Sequence, residues 1–258
     1  MKYIPFVSYY LVFFYIPLLF SSLIPFLKRD YTGGLINVLT IENLSQFDYE
    51  AFGEILLKGI ALNVAVLFPL ILVGFVCAYI LQTMRNRRIA DLCILFFLAL
   101  FASEGLVKIF AYDIFYGNLL ENSPYVSYTV QSCFCLLPIS ILLLYNGMHS
   151  VPSSIYEVSD DLGASYFQKA LFVTLPMIKV HIILVQFLCF LIAFFNFLYS
   201  QMFLRGKMFL VGNYLKFLFF DIGDWPSSVI SATLSVFFIL LFFSALAKTT
   251  NYAIKRLS

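Results

Sequence analysis

Charged residues are scarce in this sequence of 258 residues: Asp, Glu, Lys and Arg make up 12%, against about 25% in ordinary globular domains. The net charge of +2 gives no basis for the strongly basic surface that nucleic-acid binding requires, so we expect no nucleic-acid partner. Hydrophobic residues instead make up 62%, and the mean hydropathy is +0.94. A soluble domain of this size cannot bury so much apolar material, so the composition predicts a polytopic membrane protein.

Residues that build metal and catalytic centres are also few or scattered. The 5 cysteines lie within apolar runs and form no C-x-x-C pair, and the 2 histidines stand apart from each other. This pattern argues against a metal site or a disulfide framework. The sequence contains no P-loop, G-x-S-x-G or H-E-x-x-H motif. We therefore expect a non-catalytic chain that binds neither a metal nor a cofactor of its own.

Long apolar runs predict an all-α fold of six membrane-spanning helices, because about 20 apolar residues at about 1.5 Å per residue cross the hydrocarbon core. The predicted spans are residues 4–27, 59–81, 92–110, 125–148, 177–204 and 227–247. An even number of spans places both termini on one side of the membrane. That side also carries the cluster Arg85, Arg87 and Arg88, so the positive-inside rule predicts that it is the cytoplasmic one.

The segment between the fourth and fifth predicted spans, residues 149–176, is here called the connector. Ser154 followed by Glu157 has the spacing of a capping box, which predicts a helix that begins after Pro152. Gly163 can adopt the left-handed backbone conformation that ends such a helix, because it has no Cβ atom.

A second short helix is predicted to follow at once. Ser165 and Gln168 have the spacing of another capping box, and Pro176 is predicted to end this helix or to open the next span. The local sequence thus predicts two short helices at an angle, held between two spans.

The two short helices differ in chemistry. Phe167 and Leu171 lie one turn apart on the second helix, whereas Glu157, Asp160 and Asp161 make the first helix acidic. An apolar ridge with acidic neighbours suits a groove in another protein. The same pattern also suits an amphipathic segment that lies on lipid, and the residues alone leave both interpretations open.

The connector resembles the EAA motif of binding-protein-dependent ABC importer permeases. That motif reads E-A-A, three residues, Gly, nine residues, then an aliphatic residue, any residue, and Leu-Pro. Glu157 matches its Glu, Gly163 its Gly, and Val173, Leu175 and Pro176 its end.

Val158 and Ser159 depart from the motif, since the family has Ala at both positions, and we expect this departure to weaken docking there. The resemblance implies that the connector seats in a cleft of a partner ATPase, which alone would bind ATP and Mg²⁺. The residues that it implies in ATPase coupling are Glu157, Asp161, Leu162, Gly163, Ala164, Ser165, Phe167, Leu171, Leu175 and Pro176.

Residues 209–226 are similar to spermidine/putrescine permeases, which carry a Gly-Asn pair, an apolar run and Asp-Trp-Pro before the last span. Residues 108–112 also resemble a segment of those permeases. The resemblance implies a type I (MetI-like) permease fold with a first helix and periplasmic loop at 1–56, a permease domain at 57–247 and a tail at 248–258. It also implies a bacterial inner membrane location and three kinds of partner: a second permease, two ATP-binding subunits and a periplasmic binding protein.

The solute remains open at this stage, because permeases for iron and oxyanions carry the same motif. An ion-driven secondary carrier is a further alternative, although the connector would then have no explanation. An intramembrane enzyme is a more distant one, since no nucleophile–base pair occurs within the spans.

Polar residues near the spans are candidates for the solute pathway. Glu104 could contact a cation or pair with Lys108, and the favourable Glu-before-Lys order favours the ion pair. Asn196, Tyr199 and Gln201 could line a pathway or bond to other helices. Asp224 and Trp225 could meet the binding protein or a cation, or act as a solvated loop and an interfacial anchor.

Overall fold

The computed structural model describes residues 9, 11–29, 34–103, 105–116, 122–204 and 206–255. Most of these residues are helical, and 3 helices among them are long and apolar enough to cross a membrane, or 5 if each of 2 bent helix pairs counts as one span. The predicted all-α membrane architecture is therefore confirmed. The number of six spans stays a prediction, because residues 4–8 and 10 of the first predicted span lie outside the described residues.

The elements vary in length from single turns to helices that are longer than the bilayer core is thick. The two longest helices have 35 and 31 residues, whereas the helices of the connector are short. In chain order they are a π-helical turn (Leu11–Tyr15), α1 (Ile16–Leu23), a 3₁₀ turn (Ile24–Phe26), β1 (Leu27–Arg29), β2 (Leu35–Leu39), α2 (Glu42–Gln46), α3 (Tyr49–Thr83), α4 (Arg87–Ala102), α5 (Gly105–Tyr116), α6 (Pro124–His149), α7 (Ser153–Asp161), α8 (Tyr166–Gln168), a π-helical turn (Lys169–Thr174), α9 (Leu175–Met177), α10 (Lys179–Phe195), α11 (Phe197–Phe203), α12 (Val211–Lys216), a π-helical turn (Phe217–Ile222) and α13 (Trp225–Lys255).

One compact unit comprises Met1–Leu57 and Leu210–Ser258. Its antiparallel hairpin β1–β2 is a feature that the all-α prediction did not include. The Asn43 side chain supports this hairpin by donating to the carbonyl oxygens of Pro25 and Leu27, at 2.9 and 2.8 Å. The hairpin therefore belongs to a short structured loop between the first helix and α3.

The other compact unit comprises Lys58–Phe209 and contains the connector. Helix α6 is its most interior helix: 50% of the apolar window of α6 is buried, against 33% for α3. Gly147 lets α6 approach α10 closely, since a Cβ atom at this position would lie 2.7 Å from Cβ and Cγ of His181. Small residues at such contacts allow close helix packing in a membrane, where lipid competes for apolar surface.

The third and fifth predicted spans are not continuous helices, which corrects the sequence analysis. Helix α4 ends at Ala102, Ser103 has extended backbone with ψ 142°, and α5 departs at 97° to α4. Helix α10 ends at Phe195, and Asn196 has ψ 100° before α11 begins. In both cases a polar residue with extended backbone follows the last helical residue and stops the ladder of hydrogen bonds.

Replacing Gly147 by alanine tests the close approach of α6 and α10. We expect Gly147→Ala to lower stability by about 1–3 kcal/mol, because the added methyl group would force His181 and its helix apart. Gly53→Ala is the matched control, since nothing lies within 4 Å of a Cβ atom at that helical position. The measurement is the midpoint of thermal unfolding in detergent, and equal midpoints for both variants would contradict the packing.

Candidate functional site

Helix α7 of the connector begins without the capping box that the sequence predicts. Pro152 occupies the N-cap position with ψ 137°, and no side chain caps the helix. Ser154 therefore lies within the first turn rather than before it, which makes the predicted Ser154–Glu157 box wrong. The N-cap therefore lies at residue 152, two residues earlier than the box requires, because the extended ψ of Pro152 stops helix formation before residue 153.

The end of α7 has the predicted left-handed turn. Gly163 has φ +72°, a conformation that residues with a Cβ atom rarely adopt. The N–H of Gly163 donates to the carbonyl of Asp160 at 2.9 Å, and the N–H of Ala164 donates to that of Ser159 at 3.0 Å. These two bonds form a Schellman motif, which satisfies the last carbonyl groups of the helix.

Helix α8 begins with the capping box that its sequence predicts. Ser165 Oγ accepts from the N–H of Gln168 at 3.3 Å, and Gln168 Oε1 accepts from the N–H of Ser165 at 2.8 Å. The helical path from Tyr166 to Met177 then meets α10 at 74°, with the bend at Ile178, close to Pro176. Both short helices are therefore defined at their ends by local hydrogen bonds.

Three contacts hold the two halves of the connector to each other and to α3. The sequence analysis did not predict them. Lys169 forms an ion pair with Asp160 of α7, and the hydroxyl groups of Tyr156 and Thr174 lie 3.2 Å apart. In addition, Tyr79 of α3 donates through its hydroxyl group to the carbonyl of residue 166, at 3.0 Å. The sequence signal for the Lys169–Asp160 pair was a lysine within the mostly apolar turn that follows Gln168.

Lys169 lies in the connector, outside the predicted spans, and its charge is maintained by its partner. The hydrogen bond to Asp160 raises the pKa of Lys169 above the usual value, and burial of the side chain lowers it by less. Because a raised pKa keeps the Lys169 ammonium charged at neutral pH, the lysine loses its charge, and with it its side of the ion pair, only in alkaline solution.

The predicted coupling residues include several exposed apolar side chains. Leu162 is 82% exposed and Phe167 is 72% exposed, while Leu171 is partly exposed. Glu157 and Asp161 are also exposed. Of the two positions that depart from the motif, Ser159 is buried and donates to the carbonyl of residue 155, whereas Val158 is exposed. Only Val158 could therefore alter a docking surface.

An apolar groove of about 550 Å³ lies between α3 and the second half of the connector. Phe68 and Phe75 of α3 line one side, and Phe167, Leu171 and Leu175 line the other. The predicted ridge of Phe167 and Leu171 thus forms one wall of this groove.

The predicted pathway residues that the structure describes have different local surroundings. Glu104 lies outside the described residues, so its pairing with Lys108 stays a prediction, and Lys108 Nζ donates to the carbonyl of Phe101 at 3.3 Å. Tyr199 is 5% exposed and packs in the interior, whereas Gln201 is exposed.

Asn196 and Asp224 each cap a helix. Asn196 Oδ1 accepts from the N–H of Tyr199 at 3.2 Å, and Asp224 Oδ1 accepts from the N–H of Ser227 at 3.2 Å. Trp225, the first residue of α13, is exposed and contacts the Phe219 ring, with ring centroids 4.6 Å apart and ring planes tilted by 33°. These contacts give Asn196, Asp224 and Trp225 local structural roles.

A buried polar contact within the helices escaped the sequence analysis. The Tyr128 hydroxyl group donates to Asn63 Oδ1 at 3.1 Å and lies 3.3 Å from the carbonyl of Ala193. Tyr128 and Asn63 are at most 1% exposed. An asparagine within an apolar span, such as Asn63, was the signal that could have indicated it.

Comparison with solved structures defines the class of protein. The chain superposes on a chain of a bacterial ABC transporter that imports the acidic polysaccharide alginate, with a TM-score of 0.71, 13% identity and coverage of 97% of this chain and 94% of that one. A structure of a bacterial alginate ABC transporter in complex with an alginate pentasaccharide-bound periplasmic protein matches with the same TM-score, 0.71, and covers 99% and 93% of the two chains. The fold is that of an ABC importer permease.

The sequence relatives are more specific. The chain is similar to the spermidine/putrescine transport system permease protein PotB of Haemophilus influenzae, at 26% identity over 92% of this chain and 88% of the relative. PotB of Escherichia coli is 23% identical over 89% and 90% of the two chains, and PotB of Salmonella typhimurium is 22% identical over 98% and 94%. No family model matches the chain. The predicted resemblance to these permeases is confirmed.

The two serines of the predicted capping boxes give a matched test of the connector. We expect Ser165→Ala to weaken α8 by about 1 kcal/mol, which corresponds to roughly fivefold faster amide hydrogen exchange in residues 166–169. Ser154→Ala should leave exchange in α7 unchanged, because Ser154 caps nothing. Faster exchange in α7 of Ser154→Ala would contradict the assignment of Pro152 as the N-cap.

Proposed function

We propose that this chain is the permease subunit of an ATP-driven, binding-protein-dependent importer, and that its solutes are the polyamines spermidine and putrescine. The observation that carries the proposal is the connector: two short helices with a fixed left-handed turn, in a chain similar to PotB permeases over most of its length. A multi-pass chain with the fold of an ABC importer permease provides the spans that such a subunit requires.

In the proposed mechanism, the energy for transport comes from ATP that partner subunits bind and hydrolyse. Two ATP-binding subunits would hold the connector through its exposed residues, among them Glu157, Leu162 and Phe167, and would close when they bind ATP. A stiff connector passes this movement to α10, which continues from it at the bend. ATP and Mg²⁺ would remain in the partners, so the chain itself performs no hydrolysis.

The complete assembly would contain a second permease and a periplasmic binding protein. A solved neighbour with this fold is in complex with a periplasmic protein, which supports the latter partner. In this arrangement the chain lies in the bacterial inner membrane with six spans, both termini cytoplasmic and a permease domain at 57–247. The connector then faces the cytoplasm, where the ATPases lie.

The polyamine assignment rests on the sequence relatives. The fold alone does not select a solute, because the alginate transporter shares it and carries an acidic polymer. A polycation instead needs carbonyl groups, carboxylates or aromatic faces along its route. Glu104, Asn196, Tyr199, Gln201, Asp224 and Trp225 are the residues that we propose for this route. Iron and oxyanions are the alternative solutes of the same class.

Two connector variants test the coupling. We expect Glu157→Lys and Gly163→Pro to reach the membrane in normal amounts but to abolish ATP-dependent uptake, since the first reverses a charge on the docking surface and the second removes the left-handed turn. Glu42→Lys makes the same charge change at an exposed position of α2, outside the connector, and should transport normally. Normal uptake by both connector variants, with the ATPase attached, would refute the role of the connector.

Uptake by a deletion strain tests the solute and the energy source. We expect loss of labelled spermidine and putrescine uptake, with unchanged uptake of iron and sulfate. Deleting the partner ATPase should cause the same loss, whereas an ion-driven carrier would keep its uptake. Loss of iron or sulfate uptake instead would contradict the polyamine assignment and indicate a permease of the same class for iron or an oxyanion.

A further inference from the structure

Lys169 is a buried cation in an exposed part of the molecule. The residue is only 8% exposed, although the connector residues around it include the largely exposed Phe167 and Phe172. A lysine is rarely buried to this extent unless its ammonium group is paired. Here the partner is the carboxylate of Asp160, which lies on the other side of the Gly163 turn.

The pair joins the two halves of the connector, in addition to the turn and the Tyr156–Thr174 contact. Asp160 belongs to α7, and Lys169 directly follows α8, so the pair connects one short helix to the other. The ammonium group also lies 4.6 Å from the centroid of the Tyr166 ring, which adds a cation–π contact. The carbonyl of Tyr166 is in turn held by the hydroxyl group of Tyr79 in α3.

The two partners are unequal in exposure. The Lys169 side chain is 10% exposed, whereas that of Asp160 is 60% exposed. Removing the carboxylate would leave an unpaired ammonium in a buried site, which is unfavourable. Removing the ammonium would leave a carboxylate that water can solvate. Lys169 can therefore be neutralised with less damage to the fold than Asp160, which makes it the better residue for an experiment.

We propose that the Lys169–Asp160 pair is a positioning lock, which fixes the angle between α7 and α8 so that movement of the partner ATPase reaches the spans. This inference rests on the proposed function, because a lock matters for transport only if the connector transmits force. Lys169 touches neither solute nor ATP in this scheme and acts through the geometry of the connector. Without the lock, the ATPase would still bind the exposed residues, but part of its movement would bend the connector.

The experiment compares transport with hydrolysis in the complete complex, reconstituted with its ATPase, second permease and binding protein in proteoliposomes. We expect Lys169→Met to lower the amount of polyamine imported per ATP hydrolysed by about fivefold, while the ATPase stays bound. Methionine keeps an unbranched apolar stem of similar length, so the site remains filled. Lys248→Met, which removes an exposed cation of α13, is the control and should leave the ratio unchanged.

Two further measurements separate positioning from folding. Amide exchange in residues 166–174 should rise in Lys169→Met, because the pair no longer restrains this segment. The double variant Asp160→Lys/Lys169→Asp should recover part of the ratio, since it restores an ion pair of opposite polarity. If Lys169→Met does not reach the membrane, the double variant decides the question. Normal assembly with a recovered amount of polyamine imported per ATP hydrolysed supports the lock, and failure to recover either one overturns it.

The failure of the lock is distinguishable from the failure of the proposed function. An unchanged transport ratio in Lys169→Met, together with lost uptake in Gly163→Pro and Glu157→Lys, would overturn the lock and leave the coupling role intact. Normal uptake in all three variants would overturn both.

Discussion

The left-handed turn at Gly163 is the constraint on which the connector depends. In an unbroken helix, residues 160 and 169 would lie about 180° apart around the axis and about 13 Å apart along it, so their side chains could not pair. With φ +72° at Gly163, the chain reverses enough to join Asp160 to Lys169 and Tyr156 to Thr174. The burial of a lysine in this small element is thus a consequence of one backbone conformation.

The helices around the connector are held by close packing and by buried polar contacts rather than by apolar character. Lipid is as apolar as leucine, so helices in a membrane gain little from apolar surface alone. Helix α6 shows both kinds of contact: Gly147 allows His181 of α10 to approach closely, and the Tyr128 hydroxyl group donates a hydrogen bond to Asn63 of α3. The same helix has the largest buried share of the 3 long spans. It is therefore the element against which neighbouring helices of its unit are positioned.

Features specified by neighbouring residues could be predicted, and those that depend on distant residues could not. The Gly163 turn and the Ser165–Gln168 box each involve residues a few positions apart, so their sequence spacing determines them. The Ser154–Glu157 box has the same spacing and fails, because Pro152 already holds the N-cap. The Lys169–Asp160 pair needs the turn between its members, and the break at Asn196 needs an extended backbone that apolar flanks do not indicate. Hydropathy alone therefore predicted continuous helices there.

The break at Asn196 limits how far the proposed movement of the connector can travel as a rigid displacement. Helix α10 has 17 residues and is thus about 25 Å long, close to the thickness of the bilayer core. One end of α10 adjoins the connector, and Asn196 follows its other end. There the hydrogen-bond ladder stops, and the Asn196 side chain satisfies the N–H of Tyr199 at the start of α11. Helices α10 and α11 both pack against α6, α11 through buried residues such as Tyr199, so α6 holds the two sides of the break at Asn196. In the proposed mechanism, a movement that begins at the connector therefore meets a break in the helical hydrogen-bond ladder at Asn196, and the ladder of α10 does not carry it into α11.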